Sequence, residues 1–277
     1  IRGRHVGPRE VAEALAAAAG GPVAEGSVGA GTGMVCYGFK GGIGTASRVW
    51  PFPLPGAGDE PVTLGCLVLA NFGRSRDLTI AGVPVGRLLD AADEPAPAPA
   101  RAAAGGEGDP ATPMGWTTAA PTGTPPGAPG AGASGAPSTP AETPGPTGEG
   151  GSVVVVLATD APLTSRQLGR IARRAAAGLA RTGTVYWHGS GDFVLAFSTA
   201  RRYPPYLPDE GAYLNPFFEA AAAATEEAVI RALVAARPMT GRDGHHVPAL
   251  PAGRVRHLLE ERGIPWDYGP EPARQPR

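Results

Sequence analysis

From about residue 93 to Gly150 the chain offers almost nothing to bury, and this divides the sequence into two foldable parts. The stretch contains EPAPAPARAAAGGEGDP and APTGTPPGAPGAGASGAPSTPAETPGPTGEG, with Met114 and Trp116 as its large apolar side chains. Sequence of this kind cannot offset the entropy of ordering its own backbone. We therefore expect residues 93–150 to be a disordered linker, flexible to semi-extended. Much of the excess of glycine (42) and proline (32) among the 277 residues lies there.

On the N-terminal side, Pro8 followed by REVAEALAAAA predicts a helix ending at Gly20-Gly21. MVCYGFK and LGCLVLAN read as short strands, and RDLTIAGVPVG as a further strand and turn. Beyond the linker, Ser152 opens VVVVLA, a β-branched run hydrophobic on both faces, as expected of a strand buried between two layers. Thr164 or Ser165 can cap the helix that follows, in which Leu168, Ile171, Ala172, Ala175 and Leu179 recur at helical spacing. Arg166, Arg170, Arg173 and Arg174 fall on its solvated face. TVYWHGSGDFVLAFS reads as two strands turned at Gly189–Gly191, with His188 packed in or near the core. Asn215-Pro216 starts a long Ala-rich helix reaching about Ala236, and a last helix covers roughly Ala252 to Arg262. Buried strands flanked by helices imply a layered α/β sandwich.

Charge removes several function classes. Lys+Arg (24) against Asp+Glu (25) leave a net charge of -1, so no basic field exists for nucleic acid or an acidic membrane. No run of 18 apolar residues appears, so no membrane span is expected. Lys40 is the only lysine, a bias we read as genomic. Cys36 and Cys66 sit in apolar runs and are expected to be reduced, buried thiols. The pair His245-His246 lacks a third ligand at metal spacing, so no metal site is assigned.

Four places remain where chemistry could reside. A serine directly after Gly151, at the first position of an apolar strand, is an odd placement. Were the Gly151–Ser152 bond cut, Ser152 would carry a free α-amine, titrating near ~8, beside its own hydroxyl. Ser190 and Asp192, two residues apart in the Gly189–Asp192 turn, would share a face, the carboxylate orienting the hydroxyl. Asn71 ends an otherwise apolar strand and could donate to a developing oxyanion. The glycine-rich residues 25 to 48 match no phosphate-binding fingerprint. Glycines this dense imply close backbone approach to a ligand or another strand, with Thr32, Thr45 and Ser47 as available polar groups.

Taken together, GTGMVCYGFKGGIGTASRV, LVLANFGR, GSVVVVLATDAPLTSRQLGRIARRAAAGLARTG and GSGDFVLAFST resemble the self-processing serine aminopeptidases. That group includes the L-aminopeptidase/D-esterases and the β-peptidyl aminopeptidases. LNPFFEAAAAATEEAVIRAL and MTGRDG continue the likeness. The resemblance implies an αββα four-layer sandwich similar to the N-terminal-nucleophile hydrolases but with different strand connectivity. It implies self-cleavage between Gly151 and Ser152, giving residues 1–92 as the α-chain part of the catalytic domain and 152–277 as its β-chain part. Ser152 would be the nucleophile, Ser190 and Asp192 its supporting pair, and Asn71 the oxyanion donor. Gly31, Thr32 and Gly33 would contribute to substrate binding.

The implied reaction releases an N-terminal amino acid from a peptide, amide or ester, with no metal or organic cofactor. The implied partners are such a substrate, the α and β chains themselves, and further αβ units in a homo-oligomer. Cytoplasm is the expected location. The resemblance also implies an upstream segment before IRGRHV that lines part of the pocket, so the chain as it stands is expected to lack some of that lining. Two other readings compete: an acyltransferase of related fold, similar to the ornithine acetyltransferases, and an inactive, truncated or interaction protein.

Overall fold

The two parts of the sequence meet in one sheet. The structure, a computed structural model, describes residues 6–54, 58–93, 151–200 and 211–268. Apart from its first residue, the linker expected over 93–150 lies outside the described residues. In chain order the elements are α1 (Pro8–Ala16), β1 (Val35–Cys36), β2 (Phe39–Lys40), β3 (Gly42–Leu54), β4 (Gly58–Asn71) and α2 (Val85–Asp93). Then come β5 (Ser152–Thr159), α3 (Ser165–Ala172), α4 (Ala175–Arg181), β6 (Gly191–Ser198), α5 (Gly211–Ala235), β7 (Met239–Thr240), β8 (His246–Val247) and α6 (Ala252–Glu260). The main sheet runs β3-β4-β5-β6, with β4 antiparallel to β3 and β5, and β6 parallel to β5.

Alternation along each strand separates two faces. Val62, Leu64, Cys66, Val68 and Ala70 of β4, with Val153, Val155 and Leu157 of β5, are buried on the inner face. Helix α5 covers that face at β3 and β4. Its Phe217 lies edge-on between Trp50 (4.8 Å) and Phe52 (5.2 Å). The approach is close because β3 begins with glycines. A Cβ on Gly44 would stand 1.8 Å from the Ala228 carbonyl oxygen, so no side chain can occupy that position without moving α5. Helix α4 packs on α5, and α3 contacts β6. Thr164 caps α3, its Oγ1 accepting from Gln167 N at 3.4 Å.

The outer face differs from expectation. VVVVLA is apolar on both sides, yet only one side is covered by described residues. Val154 is 38% exposed, Phe193 69%, Leu195 58% and Phe197 42%, and register sets all four on the outer face with Ser152. Of the four layers expected for the sandwich, one sheet and the helical layer on its inner face stand among the described residues. The chain has the mixed α/β character expected.

Several elements are placed differently from the sequence reading. MVCYGFK is the tight β1–β2 hairpin, turned at Tyr37 and Gly38 with φ of 52° and 77°. GIGTASRVWPFPL forms the 13-residue strand β3, which glycine density concealed. RDLTIAGVPVG forms no strand: Ser75–Asp77 is a 3-10 turn, and Ile80 and Val83 form an isolated bridge before α2. Residues 184–190 form a loop before β6, not a strand, and His188 is exposed there rather than packed. One expected helix divides into α3 and α4 at Arg173-Arg174, and α1 stops at Ala16, with none of its residues buried among the described residues. Arg174 lies 3.9 Å and Arg170 5.3 Å from the Phe218 ring centre, so part of the arginine face is stacked. Cys36 and Cys66 are free and buried, as expected, and burial raises their thiols to about 12 and about 11. No helix among the described residues is long and apolar enough to cross a membrane.

Glu25 fastens the segment before β1 to the core. Its carboxylate accepts from Thr45 N (2.8 Å) and Oγ1 (2.7 Å), and from Arg231 Nε (3.0 Å) and Nη2 (2.8 Å). Partial burial works to raise its pKa, but the hydrogen bonds from Arg231 and Thr45 outweigh it and hold the carboxyl below its ordinary value. A carboxyl lowered by folding contributes stability above its unfolded pKa, and that contribution is lost as pH falls through the folded value. The urea midpoint should therefore decline as pH drops below about 4.3, the unperturbed glutamate pKa. Glu25→Gln should flatten that decline, whereas a profile parallel to wild type would show that other carboxyls carry it.

Candidate active site

Three strand ends converge at one edge of the sheet. β4 ends at Asn71, β5 begins at Ser152 and β6 begins at Gly191, and the ladders pair Asn71 with Ser152 and Ser152 with Gly191. Opposed residues in an antiparallel pair share a face, with Cβ atoms about 4.5–5.5 Å apart. Asn71 and Ser152 therefore stand together on the outer face, Ser152 exposed at the start of its strand. A Cβ on Gly191 would lie 3.2 Å from Ser152 Oγ, so a larger residue at this third position would crowd the serine hydroxyl.

Backbone and side-chain donors surround this row. Gly191 N donates to the Gly151 carbonyl oxygen at 3.1 Å. The acceptor is the carbonyl of the bond expected to be cut. Asn71 Oδ1 accepts from Val35 N at 3.0 Å, which identifies the oxygen end of the amide and leaves Nδ2 as its donor end. Ser190 Oγ donates to Asp192 Oδ1 at 2.8 Å, so this expected pair is formed. By register Asp192 stands beside Val153 on the inner face, one position past Gly191, and the described hydrogen bond of the pair joins Ser190 to Asp192 rather than to Ser152. Tyr186, with φ of 55°, sits close enough to Asp192 to feel its charge. Burial chiefly, and that charge, raise its phenol to about 12, so it is neutral near pH 7.

The glycine-rich region serves the site by holding backbone. Gly29–Gly33 form a 3-10 turn, within which Gly31 is buried against Gly26 and Gly42 and Thr32 Oγ1 donates to Gly29 O (2.8 Å). Thr32 and Gly33 are exposed. The close approaches of Gly31, Gly42 and Gly44 are all to protein backbone. Thr45 is committed to Glu25, and Ser47 is exposed on β3. His246 Nδ1 meets Thr240 Oγ1 at 2.9 Å in the exposed β7–β8 turn.

Sequence reasoning passed over four groups here. Lys40, the lone lysine, is only 2% exposed, and its Nζ donates to Thr32 O (3.0 Å) and Met34 O (2.6 Å). Desolvation lowers its pKa. It fastens the chain immediately before Val35, the residue that orients Asn71. A single lysine amid apolar sequence was the available signal. The N–H groups of Val35 and Gly191 carry no side-chain signature, and the contact of Arg74 with Trp187 joins residues far apart in sequence.

The description of peptidase family S58 matches residues 1–247. The chain belongs to peptidase family S58. The matched region takes in Asn71, Ser152, Ser190 and Asp192. Among curated relatives, the β-peptidyl aminopeptidase BapA of Sphingosinicella microcystinivorans is 40% identical over 271 residues, covering 94% of this chain and 58% of its own length. BapA of Sphingosinicella xenopeptidilytica is 38% identical over 258 residues, covering 90% and 54%. The chain thus spans a little over half the length of the curated relatives it matches.

Solved structures give the same picture. The L-aminopeptidase D-Ala-esterase/amidase of Ochrobactrum anthropi, a prototype for the serine aminopeptidases and a variant of the Ntn hydrolase fold, is similar with a TM-score of 0.64. It is 36% identical, with 95% of this chain and 59% of that one covered. A Burkholderia sp. β-aminopeptidase gives 0.63 at 35% identity, covering 96% and 61%. The S58 chain is therefore of the Ntn-hydrolase-like α/β fold, and the acyltransferase reading is not favoured.

Proposed function

We propose that this chain is a self-processing serine aminopeptidase that cuts its own Gly151–Ser152 bond and then uses Ser152 to release N-terminal amino acids from peptides, amides or esters. The reading rests on one observation above all: Asn71, Ser152 and Gly191 are neighbours in register, with the Gly151 carbonyl already hydrogen-bonded to Gly191 N. In maturation, Ser152 Oγ attacks the Gly151 carbonyl carbon, its proton passing toward Ser190, whose own hydroxyl is held by Asp192. Gly191 N–H and Asn71 Nδ2 stabilise the oxyanion. The C–N bond breaks, the Ser152 nitrogen takes a proton, and water hydrolyses the ester to leave a Gly151 carboxylate and a free Ser152 α-amine.

Departure of Gly151 frees the Gly191 N–H. In turnover that donor and Asn71 receive the carbonyl oxygen of the substrate, while the new α-amine, near ~8 when unperturbed, takes the Oγ proton. The acyl-enzyme is then hydrolysed. The α and β chains stay together through the eight β4–β5 register pairs. Gly31, Thr32 and Gly33 border the substrate site, next to the residues that hold Asn71. The outer sheet face, apolar and continuous with Ser152, is the place for the second sheet of the sandwich. The reading includes a cytoplasmic enzyme assembled as a homo-oligomer of αβ units.

The test is hydrolysis of L-, D- and β-amino-acid p-nitroanilides by the cleaved protein. Release of p-nitroaniline from at least one class, absent in Ser152→Ala, is expected. No release from any class by fully cleaved protein would overturn the aminopeptidase reading.

A further inference from the structure

The loop that carries Ser190 is fastened at its base by Tyr37 and Thr79 and at its middle by Arg74. At the base, Thr79 N donates to Thr182 O (3.0 Å), and the Tyr37 hydroxyl meets Thr182 Oγ1 (2.8 Å). Farther along, Val185, His188 and Gly189 are exposed at the surface, and Tyr186 is partly so. Among the described residues, Arg74 reaches the middle of the loop from outside. Its guanidinium carbon lies 4.2 Å from the centre of the Trp187 ring, and its Nε donates to Asp77 Oδ2 at 2.7 Å. Trp187 O in turn accepts from Ser190 N at 2.8 Å, and Ser190 Oγ bonds Asp192.

Resting on the function proposed above, we infer that Arg74 is a positioning residue that clamps Trp187 and thereby sets the Ser190–Asp192 pair against Ser152 and Asn71. The guanidinium suits this because it is planar. Its edge pairs with a carboxylate while its face stacks on an indole, and a lysine ammonium does the first without reproducing the second. Arg74 stands three residues after Asn71, on the part of the chain that becomes the α chain. Trp187, Ser190 and Asp192 stand on the part that becomes the β chain. The clamp thus holds the two halves of the site in register on either side of the scissile bond.

Arg74→Lys and Trp187→Ala should each slow self-cleavage and lower kcat about ten- to a hundredfold, the scale of a small misplacement of catalytic groups, with KM and thermal midpoint nearly unchanged. Because the two residues act as one unit, the double variant should be no slower than the slower single variant. Trp187→Phe, which keeps an aromatic face, should recover most of the rate. Amide exchange gives a second reading, independent of chemistry. In a Ser152→Ala background, Arg74→Lys should speed exchange at Ser190 while Val153–Leu157 stay protected.

Wild-type rates in both single variants would overturn the clamp, as would additive losses in the double variant. If wild type is itself uncut, the proposed function fails, and the clamp is judged by exchange alone. Unchanged exchange at Ser190 would then overturn it.

Discussion

Ser152→Ala is expected to remain one uncut polypeptide and to release no amine from any substrate the wild type accepts. The loss should be all-or-none for cleavage, because Oγ is the atom that forms the new bond and no neighbouring hydroxyl occupies its place in the register. The fold should survive. Ser152 is exposed at the first position of β5, and the buried alternation begins only at Val153. Surface substitutions away from caps and cores usually change stability by within about 0.5 kcal/mol. Intact mass, with p-nitroanilide hydrolysis and a thermal melt on the same sample, checks all three statements. A cut Ser152→Ala chain would remove Ser152 from the role of nucleophile.

Asn71→Asp should mature slowly and, once cut, turn over about 10²–10³-fold more slowly, the scale of losing one oxyanion donor. The substitution is nearly isosteric and isolates the donor. A carboxylate oxygen can still accept from Val35 N, so the anchoring of β1 to the strand end is retained. The amide's N–H groups are replaced by a second oxygen, which repels the developing oxyanion. The defect should fall on kcat, since the interaction strengthens only as charge develops. A variant with unchanged kcat would show that Asn71 does not face the reacting oxygen. One that fails to fold would be distinguished by its thermal midpoint.

The candidate site was more legible than the fold around it. Ser152, Ser190, Asp192 and Asn71 stand out as polar residues at the ends of apolar runs or in a short turn. Serine and aspartate two positions apart in Ser-Gly-Asp do meet, at 2.8 Å. The long helix α5, the last helix α6 and the strand β5 were likewise readable from apolar runs and periodicity. β3 was not, because Gly42 and Gly44 depress strand signals while being required by the close passage of Gly26 and α5. RDLTIAGVPVG misled for the opposite reason. Its alternating apolar residues Leu78, Ile80, Val83 and Val85 are all buried, yet they enter the core from a turn rather than from a ladder.

What sequence could not express was position across the sheet. The pairing of Asn71 with Ser152, and of Ser152 with Gly191, comes from register between segments far apart in the chain. The backbone donors Val35 N and Gly191 N have no residue-type signature at all. Lys40 was visible as a singular lysine, but its role depends on two carbonyls of a glycine-rich turn. The exposure of the outer face among the described residues was equally hidden, because an apolar strand reads the same whether one side or both are covered.

The most direct test of the account is the N-terminal residue of the smaller fragment of the purified wild-type chain, read together with intact mass. The account predicts two species that separate in denaturant and co-elute without it, the second beginning Ser152-Val153-Val154. A single uncut species, or a fragment beginning anywhere other than Ser152, would contradict it.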